Sequence, residues 1–318
     1  MTQTFEYVAA TDLDEVLAAL ADGRTSVLAG GQSLVPELTA PDAPPRRVVD
    51  INRVAGFDTL AEADGFLRVG PLIRHRTFES EAVGGPLGEL LRAVVRHIGH
   101  PPIRARGTML GSLAYAHPAA EWPAVAVALG AQLVLTGPAG RRTVPAAEFF
   151  TGPFTTARRP EELLAECRLP VLAPGTGIGY AEDRRTTVFP EAAAFAAVTV
   201  AAGRVTAAAI GLVNAGPCPV RARTAERALV GSDFSDAAIG AAAATAADTD
   251  AAFGAGAGTA ADLEVAIGSG PAAGLGTAIG SGVVAATETV RRLRRQAVRT
   301  LTRRALSQAR ERAVARCE

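Results

Sequence analysis

The chain contains no lysine: all 32 of its basic residues are arginine. That absence excludes Schiff-base chemistry and the lysine of a phosphate-binding P-loop. Cysteine is scarce too, with Cys167, Cys218 and Cys317 set 51 and 99 positions apart. No pair falls in a C-x-x-C or related spacing, so neither an iron–sulfur cluster nor a zinc site can be built here, and no metal is expected. Net charge is missing as well, because the 32 basic residues balance 32 acidic ones. No basic stripe interleaves with aromatics, which removes the electrostatic footprint of a nucleic-acid binder. No stretch of about 18 unbroken apolar residues with membrane flanks occurs. The start, Met1 to Tyr7, has neither a charged n-region nor an apolar h-region. The expectation is a soluble, cytoplasmic protein with no nucleic-acid and no membrane partner.

What is present is enough chain for more than one core. At 318 residues, two or three domains are expected. Phe5 to Ala9 reads as a strand, Asp12 to Leu20 as a helix with acidic residues in its first turn, and Thr25 to Ala29 as a strand running into Gly30-Gly31. After the proline-rich link Pro41 to Pro45, Arg47 to Ile51 adds a buried strand, so residues 1–56 form a small α/β unit. The pattern restarts at Phe66 to Gly70. Leu87 to Ile98 carries a core-facing helical stripe, Trp122 to Leu129 is an alanine-rich apolar run, and Gln132–Leu135 with Arg142–Val144 reads as a hairpin. This second unit spans 57–174.

From Tyr180 onward, Ala194–Ala201, Arg204–Ala209 and Ile210–Asn214 read as antiparallel strands, with a turn at Ala202-Gly203, in a third, α+β unit over 175–318. The alanine- and glycine-dominated stretch from Ala237 to Gly282 is expected to be loosely packed or partly mobile. Glu288 to Arg316 should be a long, charged surface helix. Gly175-Thr176-Gly177-Ile178-Gly179 superficially has the look of a dinucleotide fingerprint, but no strand runs into it with a helix behind, so a linker is the better reading.

Two glycine-bearing turns carry most of the chemical information. The first is Ala29-Gly30-Gly31-Gln32-Ser33-Leu34 and the second Gly107-Thr108-Met109-Leu110-Gly111-Ser112. Glycine lets main chain approach a ligand and turn its N–H groups inward, and Gln32, Ser33 and Ser112 add side-chain donors, which is what a pyrophosphate needs. Ser33 lacks the second glycine of a nucleophile elbow, so hydrolase chemistry is unsupported. His97 and His100, three apart, lack a nearby carboxylate or third ligand and read as caps on helix carbonyls. Tyr115 and His117 alternate just past the second turn, where both can point to one side of an extended segment as an acid/base pair. The plainer alternative for His117 is a histidine hydrogen-bonded to main chain near a proline turn.

Taken together, Ala29 to Leu34, His97-Ile98-Gly99-His100-Pro101, Arg106-Gly107-Thr108 through Glu121-Trp122-Pro123-Ala124, and Phe149-Phe150-Thr151-Gly152-Pro153 resemble the flavin-binding medium subunit of molybdenum hydroxylases. The resemblance runs from Thr4 to Pro170 and continues more weakly through Ala228 to Gly231 and Arg294 to Leu306. It implies an α+β chain: a two-part FAD-binding domain of the vanillyl-alcohol-oxidase type, then a small C-terminal domain with an antiparallel sheet and helices. Carried over by position, Ala29, Gly30, Gly31, Gln32, Ser33 and Leu34 and the turn Thr108, Leu110, Gly111 and Ser112 hold the FAD diphosphate. Glu121 stands where an acidic residue hydrogen-bonds the cofactor's sugar-like chain, and Leu169 where the flavin ring is lined. The implied partners are an iron–sulfur subunit, a molybdopterin subunit and a small-molecule acceptor; a homo-oligomer stays open.

Three departures stand out. Leu110 replaces the second-loop glycine of the family's usual Thr-Ile-Gly-Gly, which at a positive φ strains the backbone by about 1–2 kcal/mol and pushes a side chain toward the phosphates. Tyr115-Ala116-His117-Pro118 stands for the frequent His-Ala-Asp-Pro. Glu182 to Pro190 matches poorly the arginine- and glycine-rich opening of the third domain. Beside electron transfer within a complex, two readings therefore stay open. One is a stand-alone enzyme of the same fold, using flavin directly or a repurposed cleft with Tyr115 and His117 near a small-molecule substrate. The other is a flavin-free binding or scaffold protein whose phosphate site Leu110 has closed.

Overall fold

The computed structural model of the protein describes residues 5–38, 47–184, 189–248 and 283–314. The link Pro41 to Pro45, the stretch Arg185 to Val188, residues 249–282 and Cys317 lie outside the described residues.

The first layer runs β1 (Glu6–Ala9), α1 (Leu13–Leu20), β2 (Thr25–Leu28), α2 (Leu34–Leu38) and β3 (Arg47–Asp50). Asp12 caps α1 by accepting the Glu15 N–H at 2.9 Å, while the Glu15 carboxylate reaches back to the Thr11 N–H at 2.7 Å. Val16, Ala19 and Leu20 then pack against Val49, Ile51 and Leu163. β3 lies between β1 and β2 and parallel to both, with Val49 opposite Val8 and Val27. A central parallel strand is covered on both faces, which suits the buried pair Val48 and Val49. Because all three strands run the same way, the Gly30 turn after β2 and Asn52 after β3 emerge at the same sheet edge, where α/β sheets hold ligands.

The second layer contains β4 (Leu60–Ala63), β5 (Phe66–Val69), a 3-10 turn (His75–Glu79), α3 (Gly85–Val95), α4 (Pro101–Arg106), α5 (Met109–Tyr115), α6 (Glu121–Leu129), β6 (Gln132–Gly137), β7 (Gly140–Pro145), α7 (Ala146–Phe149), β8 (Phe150–Gly152), β9 (Thr155–Thr156) and β10 (Leu163–Pro170). Its main sheet is antiparallel in the order β4-β5-β10-β6-β7. The hairpin read from the sequence is β6-β7. α3 buries the expected stripe of Leu87, Leu90, Leu91, Val94 and Val95. Every residue of α6 is buried, which is why its sequence shows no polar face.

The third layer contains β11 (Thr176–Asp183), β12 (Ala192–Ala201), β13 (Arg204–Val213), β14 (Val220–Arg221), α8 (Arg223–Leu229), α9 (Asp236–Ala247) and α10 (Val283–Val314). Here four sequence expectations need correction. The two strands expected over 204–214 are one continuous β13. The supposed linker Gly175 to Gly179 leads into and largely forms β11, and its glycines admit a helix. A Cβ on Gly177 would lie 1.8 Å from the Ala309 carbonyl oxygen, and one on Gly179 1.8 Å from that of Ala305. α10 is therefore not a surface helix alone: Leu301, Thr302, Ala305, Leu306, Ala309 and Ala313 are buried while Arg303 and Arg304 face out. Within the stretch expected to pack loosely, Ile239, Ala242, Ala243 and Ala246 form a buried face on α9, small side chains allowing close approach rather than looseness.

Candidate functional site

The two glycine turns touch. A Cβ on Gly30 would lie 2.4 Å from the Arg106 carbonyl oxygen and 2.6 Å from the Gly107 Cα, so only glycine lets the first turn close on the second. Gly31 follows with a φ of +73°, a conformation that glycine adopts without cost. The N–H groups of Gly30, Gly31, Gln32 and Ser33 have no acceptor among the described residues. The Gln32 side chain donates to the Gly30 carbonyl at 3.2 Å, Ser33 is half-buried, and Leu34 opens α2. Ala29 is anchored by its carbonyl, which accepts from Asn52 Nδ2 at 2.9 Å.

On the second turn, Thr108 caps α5 by accepting the Gly111 N–H at 3.0 Å, and its carbonyl accepts the Ser112 N–H at 3.1 Å. The N–H groups of Thr108 and Leu110 have no acceptor among the described residues. Leu110 corrects the sequence expectation: it is helical, is absent from the positive-φ residues, and its side chain, 2 % exposed, belongs to the hydrophobic core. The leucine therefore neither strains the turn nor fills the seam, and the argument for a closed phosphate site loses its basis.

Side chains that the sequence did not single out fasten the seam. Asp50 accepts from the Asn52 N–H at 2.8 Å and from Asn52 Nδ2 at 2.6 Å. Asn52 Oδ1 in turn accepts from Arg74 at 2.5 Å, and the other terminal nitrogen of Arg74 donates to the Arg106 carbonyl. One guanidinium thus joins the sheet edge of the first layer to the second turn. Burial, then the charges of Arg106 and Arg76, lower the Arg74 pKa from its ordinary value, but the guanidinium still brings a positive charge to a seam rich in N–H groups. Unspent donors, a cradle that a Cβ would fill and positive charge together fit the diphosphate of FAD.

Tyr115 and His117 meet, though not across an extended segment. Tyr115 ends α5, Ala116 turns left-handed at φ 52°, and the two rings come to lie 6.2 Å apart. Burial, helped by the Glu37 carboxylate, raises the Tyr115 pKa. His117 stacks on Phe189 at 3.9 Å, meets Phe154 edge-on at 5.1 Å and accepts the Ala119 N–H on Nδ1 at 3.0 Å. Its burial lowers the pKa to about 4, so the imidazole is neutral. This packing matches the plainer alternative of a histidine bonded to main chain.

Glu121 and Leu169 lie in different surroundings. Leu169 is 1 % exposed within the core, opposite Leu67 on β5. Glu121 starts α6, and its carboxylate accepts from Arg184 at 3.1 Å. Burial raises the Glu121 pKa to about 8 against the pull of that arginine. The same guanidinium serves Glu182 at 2.9 Å, and His97 Nδ1 lies 2.9 Å from the other Glu182 oxygen. Burial alone would push Glu182 up, but the bonds from His97 and Arg184 hold it at about 2. His97 therefore does not cap a helix: it has a carboxylate partner, 85 residues on, which no local pattern reveals. Among the described residues no group of three His, Cys, Asp or Glu side chains is placed to hold a metal ion, and no helix is long and apolar enough to cross a membrane.

Comparison with known proteins agrees with this geometry. The family described as "FAD binding domain in molybdopterin dehydrogenase" matches residues 3–172, and "CO dehydrogenase flavoprotein C-terminal domain" matches 182–261. The chain is 34% identical to the carbon monoxide dehydrogenase medium chain of Hydrogenophaga pseudoflava, over 75% of this chain and 84% of that one. It is 35% identical to the 6-hydroxypseudooxynicotine dehydrogenase complex subunit alpha of Paenarthrobacter nicotinovorans, over 76% of this chain and 82% of that one. Among solved structures, reconstituted CO dehydrogenase from Oligotropha carboxidovorans superposes with a TM-score of 0.82 at 27% identity, covering 98% of this chain and 99% of that chain. With family models matching residues 3–172 and 182–261, the chain belongs to the family of FAD-binding medium subunits of molybdenum hydroxylase-type dehydrogenases.

Proposed function

We propose that this chain holds FAD between the Gly30 turn and the Gly107–Ser112 turn and serves as the electron-transfer subunit of a molybdenum hydroxylase-like complex. The observation that carries the reading is the contact between the turns, which only a glycine at position 30 permits, beside main-chain N–H groups that have no acceptor among the described residues. In this reading residues 1–56 and 57–174 grip the cofactor and 175–318 form the C-terminal domain. Bound FAD supplies a carrier that accepts and releases electrons; the chain binds and orients it. An iron–sulfur subunit fed by a molybdopterin subunit delivers the electrons, and a small-molecule acceptor takes them away. Cytoplasmic location fits such a complex. Three cysteines without ligand spacing agree with iron–sulfur chemistry residing on another chain.

Two measurements test the reading. The purified chain should show a flavin spectrum, and FAD at a hundredfold excess over Kd should stabilise it by about 2.7 kcal/mol. Co-purification with iron–sulfur and molybdopterin subunits from the source cell tests the complex. A chain that retains no flavin and gains no stability from FAD overturns the proposal.

A further inference from the structure

His75 starts the 3-10 turn directly behind the second glycine turn, and its own N–H donates to the Gly107 carbonyl at 2.9 Å. Its ring is 5 % exposed, and Nδ1 accepts from the Trp122 indole N–H at 3.0 Å. An indole nitrogen only donates, so Nδ1 carries no proton and the single proton of the neutral ring sits on Nε2. The ring is neutral because burial, and after it the charges of Arg104 and Arg74, lower its pKa to about 3.

The placement of that Nε2–H gives it a use. A Cβ on Gly107 would lie 2.7 Å from Nε2, and the Gly107 Cα is the atom that a Cβ on Gly30 would strike at 2.6 Å. The imidazole edge therefore borders the seam between the turns. Nε2 has no acceptor among the described residues. Among the described residues the fully enclosed side-chain polar atoms without a partner are Arg68 Nε, Thr136 Oγ1, Asn214 Oδ1 and Thr302 Oγ1; Nε2 is not one of them and so keeps some accessible surface. A donor of fixed tautomer, held against the glycine that the seam depends on, is prepared for an acceptor that the chain itself does not supply.

We propose that His75 is a diphosphate-binding residue whose Nε2–H donates to the phosphate oxygens held at the Gly30–Gly107 seam, with Trp122 fixing the tautomer as its positioning residue. The proposal rests on the FAD reading above. A neutral donor suits a place that already feels the charges of Arg104 and Arg74, because a further full charge there would be repelled.

The test is a fluorescence titration of the full-length chain, freed of flavin, with FAD, with ADP and with riboflavin, which has no phosphate. His75→Phe keeps a ring but removes the donor, and should weaken FAD and ADP by about tenfold or more while leaving riboflavin within about twofold. His75→Gln, whose amide nitrogen can stand near the Nε2 position, should recover most of the loss. Wild-type affinity for FAD in His75→Phe overturns the inference, as does an equal loss for riboflavin. Should the variants fail to fold, 15N spectra of the unaltered chain decide: the Nε2-protonated tautomer should be present, and the His75 Nε2 resonance should shift when ADP binds. An unshifted resonance overturns the inference. Failure of the unaltered chain to bind FAD instead overturns the functional reading, and this inference with it.

Discussion

Arg74 donates to the side chain of Asn52 at 2.5 Å, tying the segment just past β3 in the first layer to the residue that precedes the 3-10 turn of the second. Asn52 also holds the Ala29 carbonyl and Arg74 the Arg106 carbonyl, each next to a glycine of its turn. Besides the direct contact at Gly30, the spacing of the two turns therefore depends on one shared bond. Asn52→Ala and Arg74→Ala should each weaken FAD binding by about tenfold or more, since hydrogen bonds to charged groups contribute roughly 1.5–3 kcal/mol. The double variant should lose less than the sum. A titration cycle in which the losses add within about 0.5 kcal/mol would show that the residues act separately.

Gly30 offers a sharper test, because a methyl group there has nowhere to go. Its nearest contacts are main-chain atoms of Arg106 and Gly107, which cannot rotate aside as a flexible side chain can. Gly30→Ala should cost about 1–3 kcal/mol of stability by overpacking and should reduce FAD affinity by more than tenfold as the turns part. Gly240 in α9 serves as the opposite case: a Cβ there meets nothing within 4 Å. Gly240→Ala should stabilise by about 0.5–1 kcal/mol through helix propensity, with FAD affinity unchanged. Equal effects at both sites, in thermal melts and flavin titrations, would count against a closed seam.

The glycine turns were legible in the sequence because a missing Cβ is itself a sequence feature, and two such losses at strand or helix ends point to close main-chain approach. Partnerships across the fold were not. Asn52 with Arg74, His75 with Trp122, and His97 with Glu182 lie 22, 47 and 85 residues apart, and no residue alone announces its partner: Trp122 reads as part of an apolar run and His97 as a helix cap. Periodicity carries information only over a few turns of chain. The same limit explains Gly177 and Gly179, whose lack of side chains suggested a linker although they serve as the seat of α10. Leu110 misled for a related reason: the family comparison marked a glycine as lost, but the position is helical and its side chain points into the core.

His117 should prove structural. Its stack on Phe189 and its bond from the Ala119 N–H account for the ring, and its pKa of about 4 leaves little basicity near neutrality. His117→Ala should lose roughly 1–3 kcal/mol of stability from the vacated space and the orphaned N–H. Flavin reduction and reoxidation should stay within about twofold, and the wild-type rate should show no break in the ordinary histidine range around pH 6.5. A rate that falls by more than about tenfold in the variant, with flavin still bound, would place His117 in the chemistry after all.

Glu121 and Glu182 share the Arg184 guanidinium but should shape stability in opposite directions. Glu182 is bonded by His97, Arg184 and the Tyr180 hydroxyl and is held at about 2, so its contribution is complete above its unfolded value and is lost as the pH falls toward 2. Glu121 is enclosed and raised to about 8 by burial, so its contribution is complete below its unfolded value and is lost as the pH rises through 8. Near the ordinary carboxylate range both contributions are present together, but His75 and His117, buried neutral with pKa values of about 3 and about 4, lose stability as the pH falls below the ordinary histidine range, which moves the stability maximum of the flavin-free chain up to about pH 6.5. Melting curves between about pH 3 and 9 should therefore fall on both sides of that value. Glu121→Gln should flatten the alkaline limb and leave the slope below about pH 4 alone; Glu182→Gln should lessen the slope below about pH 4 and leave the alkaline limb alone. An alkaline limb of undiminished slope in Glu121→Gln would mean that the buried carboxyl stays charged, with the arginine outweighing burial.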